Sequence, residues 1–389
     1  MRTDEKRLQQ ANLPCPKHGV IPSPEETHGS LAAGSTELPP TYRINPLTDP
    51  RWPELVATHP RASVFHTSGW LDALRRTYGY IPSAFTTSPP NKRLGNAAVY
   101  ASVDSWISGS RMVSLPFSDH CELLADTAAD ADALFLAQET GFRKGKYRYF
   151  EIRPTSSFLA KSKLLCASEE LYLHKIDLSP DLDAIFRQFH RSSTQRKVSR
   201  AEREKLSVRE GRSNSLLKDF YKLTVLTRRR HGVPPQPVEW FRNLLDCLGG
   251  SANIMVAYSG DRPVASIFTL RHRDTLTYKY GCSDAKFHNL GGTHLLFWRA
   301  IQGAKHDGLR VFDLGRSTVQ NQGLIKFKER WGAKRSSLFY LTFTAAGMAS
   351  RVLSHSGTDW KVRYAKHFFS YAPNAVLSLA GRVLYRHIG

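Results

Sequence analysis

Apolar residues recur at helical and at strand spacing along this chain, and the two spacings alternate in an ordered way. In the first half, Trp70, Leu71 and Leu74 form an apolar stripe that predicts a helix. Ser68 is the expected N-cap of that helix. Three strand-like runs follow, SAFTTS, NAAVYASV and RMVSLPF, and then the alanine-rich helix TAADADALFLAQET and the strand YRYFEIRP. The predicted order is therefore helix, strands, helix, strand.

The second half repeats this order. Helices are predicted near 216–231 and 238–248, and the segment ANIMVAYSGDRPVASIFTLRHRDTLTYKYGCS contains three strand runs separated by the hairpin signals SGDR and RD. A helix over about 293–306 comes next, followed by the strand GLRVFDLG and, later, SSLFYLTF. The two halves share element order without residue identity. The pattern therefore predicts two similar domains of mixed α/β structure.

Composition shifts suggest where these domains begin and end. Residues 1–42 are rich in Pro, Ser, Gly, Thr and Glu, which is typical of a disordered leader. The first domain is predicted over 43–167, the second over 168–345, and a helical tail over 346–389. The tail HFFSYAPNAVLSLAGRVLYRHIG mixes bulky apolar residues with Arg382, Arg386 and His387. It is expected to be a packing helix, with a helix on a membrane surface as the alternative.

Charge narrows the class of partner. The chain has 55 Lys and Arg against 34 Asp and Glu, a formal net charge of +21 and a pI near 9.9. This excess favours anionic partners such as nucleic acid, phosphorylated molecules or an anionic membrane face, although a generally basic surface is the alternative. The N-terminus lacks the apolar core of a signal peptide and no apolar run approaches the ~18 residues that span a bilayer, so we expect a cytoplasmic protein.

The five cysteines are scattered and never form a CxxC pair, so neither a disulfide framework nor a metal site is predicted. A basic cluster lies between the halves, in RSSTQRKVSRAEREK. Arg196, Lys197, Arg200 and Arg203 fall close together at helical spacing there, and acids follow only at Glu202 and Glu204. Without acidic partners four residues on, the cluster is a candidate anion-binding surface; a solvated helix face is the alternative.

Two short segments carry candidate chemistry. Gly291 and Gly292 precede Thr293 at the start of a predicted helix, where free backbone N–H groups would stabilise a phosphate or an oxyanion. Later, GLIKFKERWGA interleaves three basic residues and one acid with apolar ones. It is either a solvated amphipathic turn or a segment that directs one lysine into a site.

The motifs of the chain, in order and spacing, resemble those of the tandem-GNAT family of Fem aminoacyltransferases. They are VAYSGDRPVASIFTL, YKYGCSD, GGTHLLFWRAIQGAKHDG, VFDLGRS and NQGLIKFKERWGA. The closer resemblance is to Fem-related proteins found with bacterial exopolysaccharide and exosortase systems, over about residues 45–345, including VFHTSGWLDALRRTYGY and VSLPFSDHCELLAD. It implies two tandem GNAT-like acyltransferase domains with a cleft between them. Fem enzymes transfer an amino acid from aminoacyl-tRNA to the amine of a peptidoglycan precursor, without a covalent intermediate.

The resemblance also implies roles for residues. The Phe–Lys pair of the family matches Phe327 and Lys328, and the lysine would stabilise charge on the transferring carbonyl or the tRNA end. In SLPFSDHCE, either Asp119 or His120 is a candidate to orient or deprotonate the attacking amine. The expected substrate-binding residues are Arg196 or Arg200 for acceptor phosphates, Tyr278 and Tyr280 on the acceptor groove with one of them in the core, and Asp313, Arg316 and Asn321 at the end of a strand.

The acyl donor stays open at this point. The chain has no long coiled-coil insertion of the kind some Fem enzymes use for tRNA, and FHNLGGT is a degenerate acyl-CoA loop. We therefore expect no bound cofactor, and either acetyl-CoA or another acyl-CoA, or aminoacyl-tRNA, as donor. The expected function is N-acyl or aminoacyl transfer to an anionic cell-envelope or exopolysaccharide precursor, with contact to the inner membrane surface. The alternative is a non-catalytic basic module that binds nucleic acid or an anionic polymer.

Overall fold

The computed structural model describes residues 38–106, 109–144, 147–155, 166–344 and 367–388. Most of the leader predicted over 1–42 lies outside the described residues, as does the part of the predicted tail before 367. The last residues of the predicted leader are described, and Tyr42 opens the first strand.

The first half contains three helices and five strands within its described residues. The helices are α1 (Trp52–Thr58), α2 (Ser68–Tyr78) and α3 (Ala128–Lys144), and the strands are β1 (Tyr42–Ile44), β2 (Ile81–Thr86), β3 (Ala98–Val103), β4 (Arg111–Val113) and β5 (Tyr149–Ile152). The expected N-cap of α2 is wrong by one residue. Thr67 has the extended backbone of a cap and its side chain accepts from the Trp70 N–H at 3.2 Å, whereas Ser68 is already helical.

The second half follows the predicted order closely. Its helices are α4 (Leu182–Gln188), α5 (Arg196–Arg203), α6 (Asn214–Arg230), α7 (Val238–Leu248), α8 (Gly292–His306), α9 (Gln322–Glu329) and α10 (Asn374–Ile388). Its strands are β6 (Cys166–Asp177), β7 (Ser207–Gly211), β8 (Ala252–Ser259), β9 (Arg262–His272), β10 (Thr275–Ser283), β11 (Val311–Thr318) and β12 (Lys334–Thr344). Strand β6 was not predicted from the sequence, and the predicted domain boundary at 167/168 falls at its start.

The described strands form one sheet in the order β1-β2-β3-β4-β5-β12-β6-β11-β10-β9-β8-β7. Each half contributes an antiparallel run that ends in a parallel pair, β4 with β5 and β10 with β11. A long helix, α3 or α8, connects the strands of each parallel pair, as a parallel connection requires. At the centre, β12 of the second half lies between β5 of the first half and β6, and its pairing with β5 joins the two halves in one sheet. The predicted repeat of two mixed α/β units is confirmed.

Packing joins the halves across one face of the sheet. Helices α2 and α7 lie in a shared hydrophobic cluster, where Trp70 meets Trp240 edge to face at a centroid separation of 5.2 Å. A second cluster packs α8 and α5 against the alternate residues of the second-half strands, which point away from the first cluster. Helix α10 packs with its buried Leu377 beside Val225 of α6, so its predicted packing role is confirmed. Within the described residues, no helix combines the length and the apolar character needed to cross a membrane.

Candidate active site

Two strand irregularities lie side by side in the second half. Strands β10 and β11 pair over Thr275–Thr277 and Val311–Asp313. Directly after these pairs, β10 shifts register against β9 between Tyr278 and Tyr280, and β11 shifts against β6 between Asp313 and Arg316. Gly315 within the second shift has a φ of +68°, a conformation that glycine adopts at little cost. Bulges re-aim side chains and release backbone groups from the sheet, and both effects are seen here.

Lys328 points into this region from α9. It is only 2% exposed, and its Nζ donates to the carbonyl oxygens of Gly315 and Arg316, both at 2.8 Å. Lys326 and Arg330 are exposed. The ambiguity of GLIKFKERWGA is therefore resolved: the segment forms a helix, and Lys328 is its inward-facing lysine. Asn321 caps this helix, its Oδ1 accepting from the Leu324 N–H at 3.1 Å.

Asp119 reaches the same region from the first half. Its Oδ2 accepts from Lys279 Nζ at 3.0 Å, and its Oδ1 lies 3.8 Å from Nε of Arg316. A Cβ added to Gly315 would be 3.2 Å from Asp119 Oδ2, which shows that the carboxylate lies close to the bulge in β11. The bulged ends of β10 and β11 thus meet a loop of the other half.

The loop that carries Asp119 and His120 is strained and braced. Leu115 and Phe117 adopt φ values of +62° and +61°, which are uncommon for residues with a side chain and concentrate at functional sites. The guanidinium of Arg153 donates to the carbonyls of Leu115 and Ser118, both at 3.0 Å. Tyr340 of β12 donates to the Asp119 carbonyl at 2.9 Å. These contacts hold the loop turned towards the second half.

His120 and Asp313 form a second polar pair beside the first. His120 Nε2 lies 3.4 Å from Asp313 Oδ2, and Asp313 Oδ1 accepts from the Gly315 N–H at 2.7 Å. Burial alone would raise the pKa of Asp313, but the hydrogen bond from His120, the charge of Lys175 and the hydrogen bond from the Gly315 N–H hold the pKa below its usual value. Asp313 is therefore an ionised carboxylate that fixes the orientation of the imidazole.

Lys279 was not predicted, and it is a member of the charged cluster. Its side chain is 6% exposed, and its Nζ lies 5.2 Å from the ring centre of Phe65, 5.8 Å from Trp70 and 5.6 Å from Tyr280. Aromatic faces stabilise a desolvated ammonium. In a regular strand, the side chain of Lys279 would point to the opposite face from those of Tyr278 and Tyr280. The bulge changes this direction, and a bulge cannot be recognised from the spacing of apolar residues.

The centre of the cluster carries three cations and two carboxylates, with a third carboxylate, Glu169, at its edge. Lys328, Lys279 and Arg316 surround Asp119 and Asp313, and Arg316 also lies 3.8 Å from Glu169 at the edge. Burial lowers the pKa of Lys328 to about 8; Asp119 and Asp313 oppose this change, and the charges of Lys279 and Arg316 add to it. The site can thus stabilise a developing negative charge.

The two tyrosines face different clusters. Tyr278 packs on Phe297 at 4.7 Å between ring centres, whereas Tyr280 accepts from Trp240 Nε1 at 2.8 Å and packs on Phe241. The expectation that one of them is core is too simple, because the bulge sends the two rings to opposite sides and both are half-buried. Burial raises the pKa of both phenols, so both stay neutral.

Both tyrosines and Lys279 line a pocket of about 230 Å³ between β10 and the C-terminal end of α6. Arg228 lines it as well, half-buried. Its guanidinium makes no hydrogen bond or ion pair with any other residue that the structure describes. Residues 228–230 are three consecutive arginines, and the sequence does not indicate which of their side chains faces inward.

A second pocket, of about 260 Å³, lies at the start of α8 and is lined by Gly291, Gly292, Thr293, Lys197 and Phe327. The predicted glycine-opened helix start is therefore beside a cavity. Gly291 has a φ of +79°, and a Cβ there would lie 2.4 Å from the Lys197 carbonyl oxygen, so α5 approaches closely only because this residue is glycine. Phe327 faces this pocket while its neighbour Lys328 faces the charged cluster, so α9 separates the two.

The basic segment meets this pocket through Lys197 rather than through the arginines chosen from the sequence. Arg196 and Arg200 are exposed on α5. Arg200 Nε lies 3.4 Å from Glu204 Oε1, so the premise that the cluster has no acid four residues on is wrong. The acceptor-binding role of the two arginines stays a prediction.

Comparisons with known proteins bear on the fold and the domain type. Residues 188–329 match the family profile described as "Acetyltransferase (GNAT) domain". No curated protein matches. Among solved structures, the chain is similar to FemX, with 13% identity, 80% of this chain and 99% of that chain covered, and a TM-score of 0.65.

Two further structures show the same architecture. One is the C-terminal domain assigned to a lysylphosphatidylglycerol synthetase of Agrobacterium fabrum, with 14% identity, 78% and 93% of the two chains covered, and a TM-score of 0.53. The other is a tandem GNAT protein from the clavulanic acid biosynthesis pathway, with 10% identity, 78% and 98% covered, and a TM-score of 0.51. The predicted fold of two tandem GNAT-like domains, and the resemblance to Fem-like tandem GNAT proteins, are confirmed.

Proposed function

We propose that this tandem-GNAT protein transfers an acyl or aminoacyl group to the amine of an anionic cell-envelope or exopolysaccharide precursor. The observation that carries the proposal is the convergence of Lys328, Lys279 and Arg316 with Asp119 and Asp313 at the bulged ends of β10 and β11. The acetyltransferase (GNAT) match covers the elements that supply all of these except Asp119.

The chemistry needs a cation where negative charge develops. When the amine nitrogen bonds to the carbonyl carbon of the donor, the carbonyl oxygen becomes an oxyanion, which then expels the thiolate of a CoA thioester or the ribose oxygen of an aminoacyl-tRNA. An ammonium has three N–H donors, and Lys328 uses two on backbone carbonyls. The third is directed to the oxyanion in this proposal. The low-polarity surroundings that reduce the pKa of Lys328 also strengthen such a contact.

A base must take the proton that the amine loses. Asp119 is a weak choice, because its carboxylate is already paired with Lys279 and lies near Arg316. The neutral imidazole of His120 carries one hydrogen. When this hydrogen is on Nε2 and points at Asp313, Nδ1 is free to accept a proton. We therefore assign proton removal to His120, which Asp313 orients. We assign to Asp119 the role of positioning Lys279 and Arg316.

The two pockets suggest how donor and acceptor are held. The N–H groups at the start of α8, with Lys197, suit the phosphates of the donor. The pocket at Arg228 suits the anionic group of the acceptor, because an arginine without a protein partner there would gain one in the ligand. The pocket next to Lys279 would then bring the acceptor amine towards the charged cluster.

A basic module that binds nucleic acid is the second candidate, favoured by the exposed arginines of α5 and the net charge of +21. Polyanion binding depends on exposed cations that release counterions. Lys328 and Lys279 have side chains buried within the molecule, so they would contribute little to it. Their convergence at one site therefore favours the enzyme.

The proposal is tested with purified full-length protein and radiolabelled donors. Acetyl-CoA and aminoacyl-tRNA are each incubated with a panel of amino-bearing nucleotide sugars, and labelled amide product is measured. We expect one donor to be consumed, and Lys328→Ala to lower kcat about 100-fold, since losing an oxyanion donor costs on the order of 3 kcal/mol. Lys326→Ala, exposed on the same helix, is the control and should behave as wild type. Equal losses in both lysine variants, or salt-steep nucleic-acid binding with no transfer, would reject the proposal.

A further inference from the structure

Helix α10 buries one side and exposes apolar residues on the other. Val376, Leu379 and Val383 lie at spacings of three and four, on one face of the helix, and are 39%, 63% and 48% exposed. The opposite face packs: Leu377 is fully buried, and a Cβ added to Gly381 would lie 1.9 Å from the Pro235 carbonyl oxygen. Val376, Leu379 and Val383 therefore do not belong to the hydrophobic core of the protein.

Exposed aromatic residues extend this surface. Phe368 and Tyr371, in the helical turn 367–371 just before α10, are 52% and 79% exposed. Trp106 is 80% exposed, and its Nε1 donates to His387 Nε2 at 2.9 Å near the end of α10. We call these three aromatic residues and the three aliphatic residues of α10 the outer face. Exposed apolar patches of this kind mark interaction sites, and Trp and Tyr are favoured where an apolar phase meets water.

Cations outnumber acids in the sequence around the outer face, where Asp104 lies two residues before Trp106. Residues 360–389 contain Lys361, Arg363, Lys366, Arg382 and Arg386 but neither Asp nor Glu. The arginine run of α6 adds to this charge in space, because the Arg229 guanidinium donates to Asn374 Oδ1 at the start of α10 and Arg230 is exposed. One acid of α7 is present, Glu239, at 2.9 Å from Arg382. Among the described residues, the four arginines 229, 230, 382 and 386 outnumber the acids Glu239 and Asp104 around the outer face, which gives it a net positive charge.

The helix is held so that this face needs no rearrangement to bind. The Tyr80 hydroxyl lies 3.1 and 3.0 Å from the carbonyl oxygens of Tyr385 and Arg386, which share its single hydrogen. The Tyr385 hydroxyl donates to the Pro234 carbonyl at 3.3 Å. A preformed amphipathic face binds without the entropic cost of ordering a segment.

We propose that the outer face docks onto the surface of an anionic phospholipid bilayer, with its apolar residues between the headgroups and its arginines on lipid phosphates. A bilayer surface is both apolar and anionic, which matches both properties of this face. A second copy of the chain matches only the apolar property, because two molecules of net charge +21 repel each other. The contact is peripheral and does not depend on the transfer reaction.

The test is co-sedimentation of the full chain with vesicles of phosphatidylcholine that contain 30% phosphatidylglycerol, or none. We expect wild type to bind the anionic vesicles and to be released in part by salt, since each cation near an anionic surface strengthens binding roughly fivefold. Leu379→Glu with Val383→Glu should reduce the partition coefficient at least about tenfold, because two apolar side chains are lost from the contact.

The control is Leu136→Glu, which changes a leucine of similar exposure, 49%, on α3. Thermal melts confirm that all variants fold, and Lys328→Ala should bind vesicles as wild type does, which separates this proposal from the transfer reaction. Three results would overturn it: no binding of wild type to anionic vesicles, equal binding by the double variant and Leu136→Glu, or gel filtration showing that the double variant changes only a dimer to a monomer.

Discussion

Lys328 is the residue on which the proposed chemistry depends, and its burial gives it a testable pH dependence. The ammonium form stabilises the oxyanion, and its pKa is lowered to about 8. We expect kcat to fall as pH rises through about 8. In Lys328→Arg the side chain stays charged, because the pKa of arginine exceeds about 12, so the fall should disappear from whatever activity the variant keeps. A kcat–pH profile from pH 6.5 to about 9.5 measures this.

The predicted fall of kcat above pH 8 cannot arise because deprotonation of Lys328 unfolds the protein. The folded pKa of Lys328 lies near 8, below the unfolded value of 10.5, so the unfolded chain binds more protons between these values. The contribution of this lysine to the free energy of unfolding therefore rises with pH in that window. A kcat that increases above pH 8 in wild type would mean that the neutral amine is the active form and would contradict the assignment.

Arg228 provides the second prediction at the scale of one residue. Arg228→Ala should raise the KM for the anionic acceptor about 10- to 100-fold with little change in kcat, since a hydrogen bond to a charged group contributes roughly 1.5–3 kcal/mol. Arg228→Lys should recover only part of the loss, because an ammonium cannot form the bidentate contact. Arg230→Ala is the matched control, since Arg230 is exposed and donates to the Ser283 carbonyl. Steady-state kinetics decide between them, and an unchanged KM in Arg228→Ala would remove Arg228 from acceptor binding.

Part of the site could be predicted residue by residue and part could not. Phe327 and Lys328, with Asp119, His120, Asp313 and Arg316, were accessible because motif resemblance transfers to single positions. Lys279 and Arg228 were not, because each stands among similar residues and only the bulge or the end of α6 determines which one faces inward. For Asn321, a polar residue at the end of a strand that was expected to bind substrate, the structure shows a side chain that caps a helix, and its role in binding stays a prediction.

At the scale of elements, the bulge in β11 shapes the site, and Gly315 permits it. An alanine there would be strained at a φ of +68°, and its Cβ would press on the Asp119 carboxylate at 3.2 Å. We expect Gly315→Ala to lower the free energy of unfolding by about 1–2 kcal/mol and to reduce kcat as well. Gly303→Ala is the control, because its Cβ would meet nothing within 4 Å and alanine favours the helix. Chemical denaturation and kinetics on both variants measure the two effects, and full activity in Gly315→Ala would show that the bulge geometry is dispensable.

Elements differed in how well the sequence predicted them. The hairpins of β8 to β10 and the helices α6 to α8 were found within a few residues, since their apolar periodicity and turn residues agree. Strand β6 was missed, although it lies at the centre of the sheet, because its sequence LYLHKIDL follows a segment without clear periodicity. The bulges could not be predicted, since a register shift depends on the partner strand and not on the spacing of apolar residues.

At the scale of the whole molecule, β5 of the first half pairs with β12 of the second, and one loop of the first half reaches the charged residues of the second. Asp119 belongs to the first half, and Lys328, Lys279 and Arg316 belong to the second. Neither half alone contains the whole cluster. If the proposed transfer takes place at this cluster, the two GNAT-like domains together form one catalytic unit.

A double-mutant cycle on the transfer rate tests this claim most directly. Asp119→Asn, Lys328→Ala and the double variant are compared with wild type by kcat for labelled amide formation with the donor that wild type uses. If both residues serve one centre, each single variant should be strongly impaired and the double variant little worse than the worse single one, because effects within one catalytic unit are not additive. Independent effects that multiply in the double variant, or full activity in Asp119→Asn, would contradict a single centre formed by both halves.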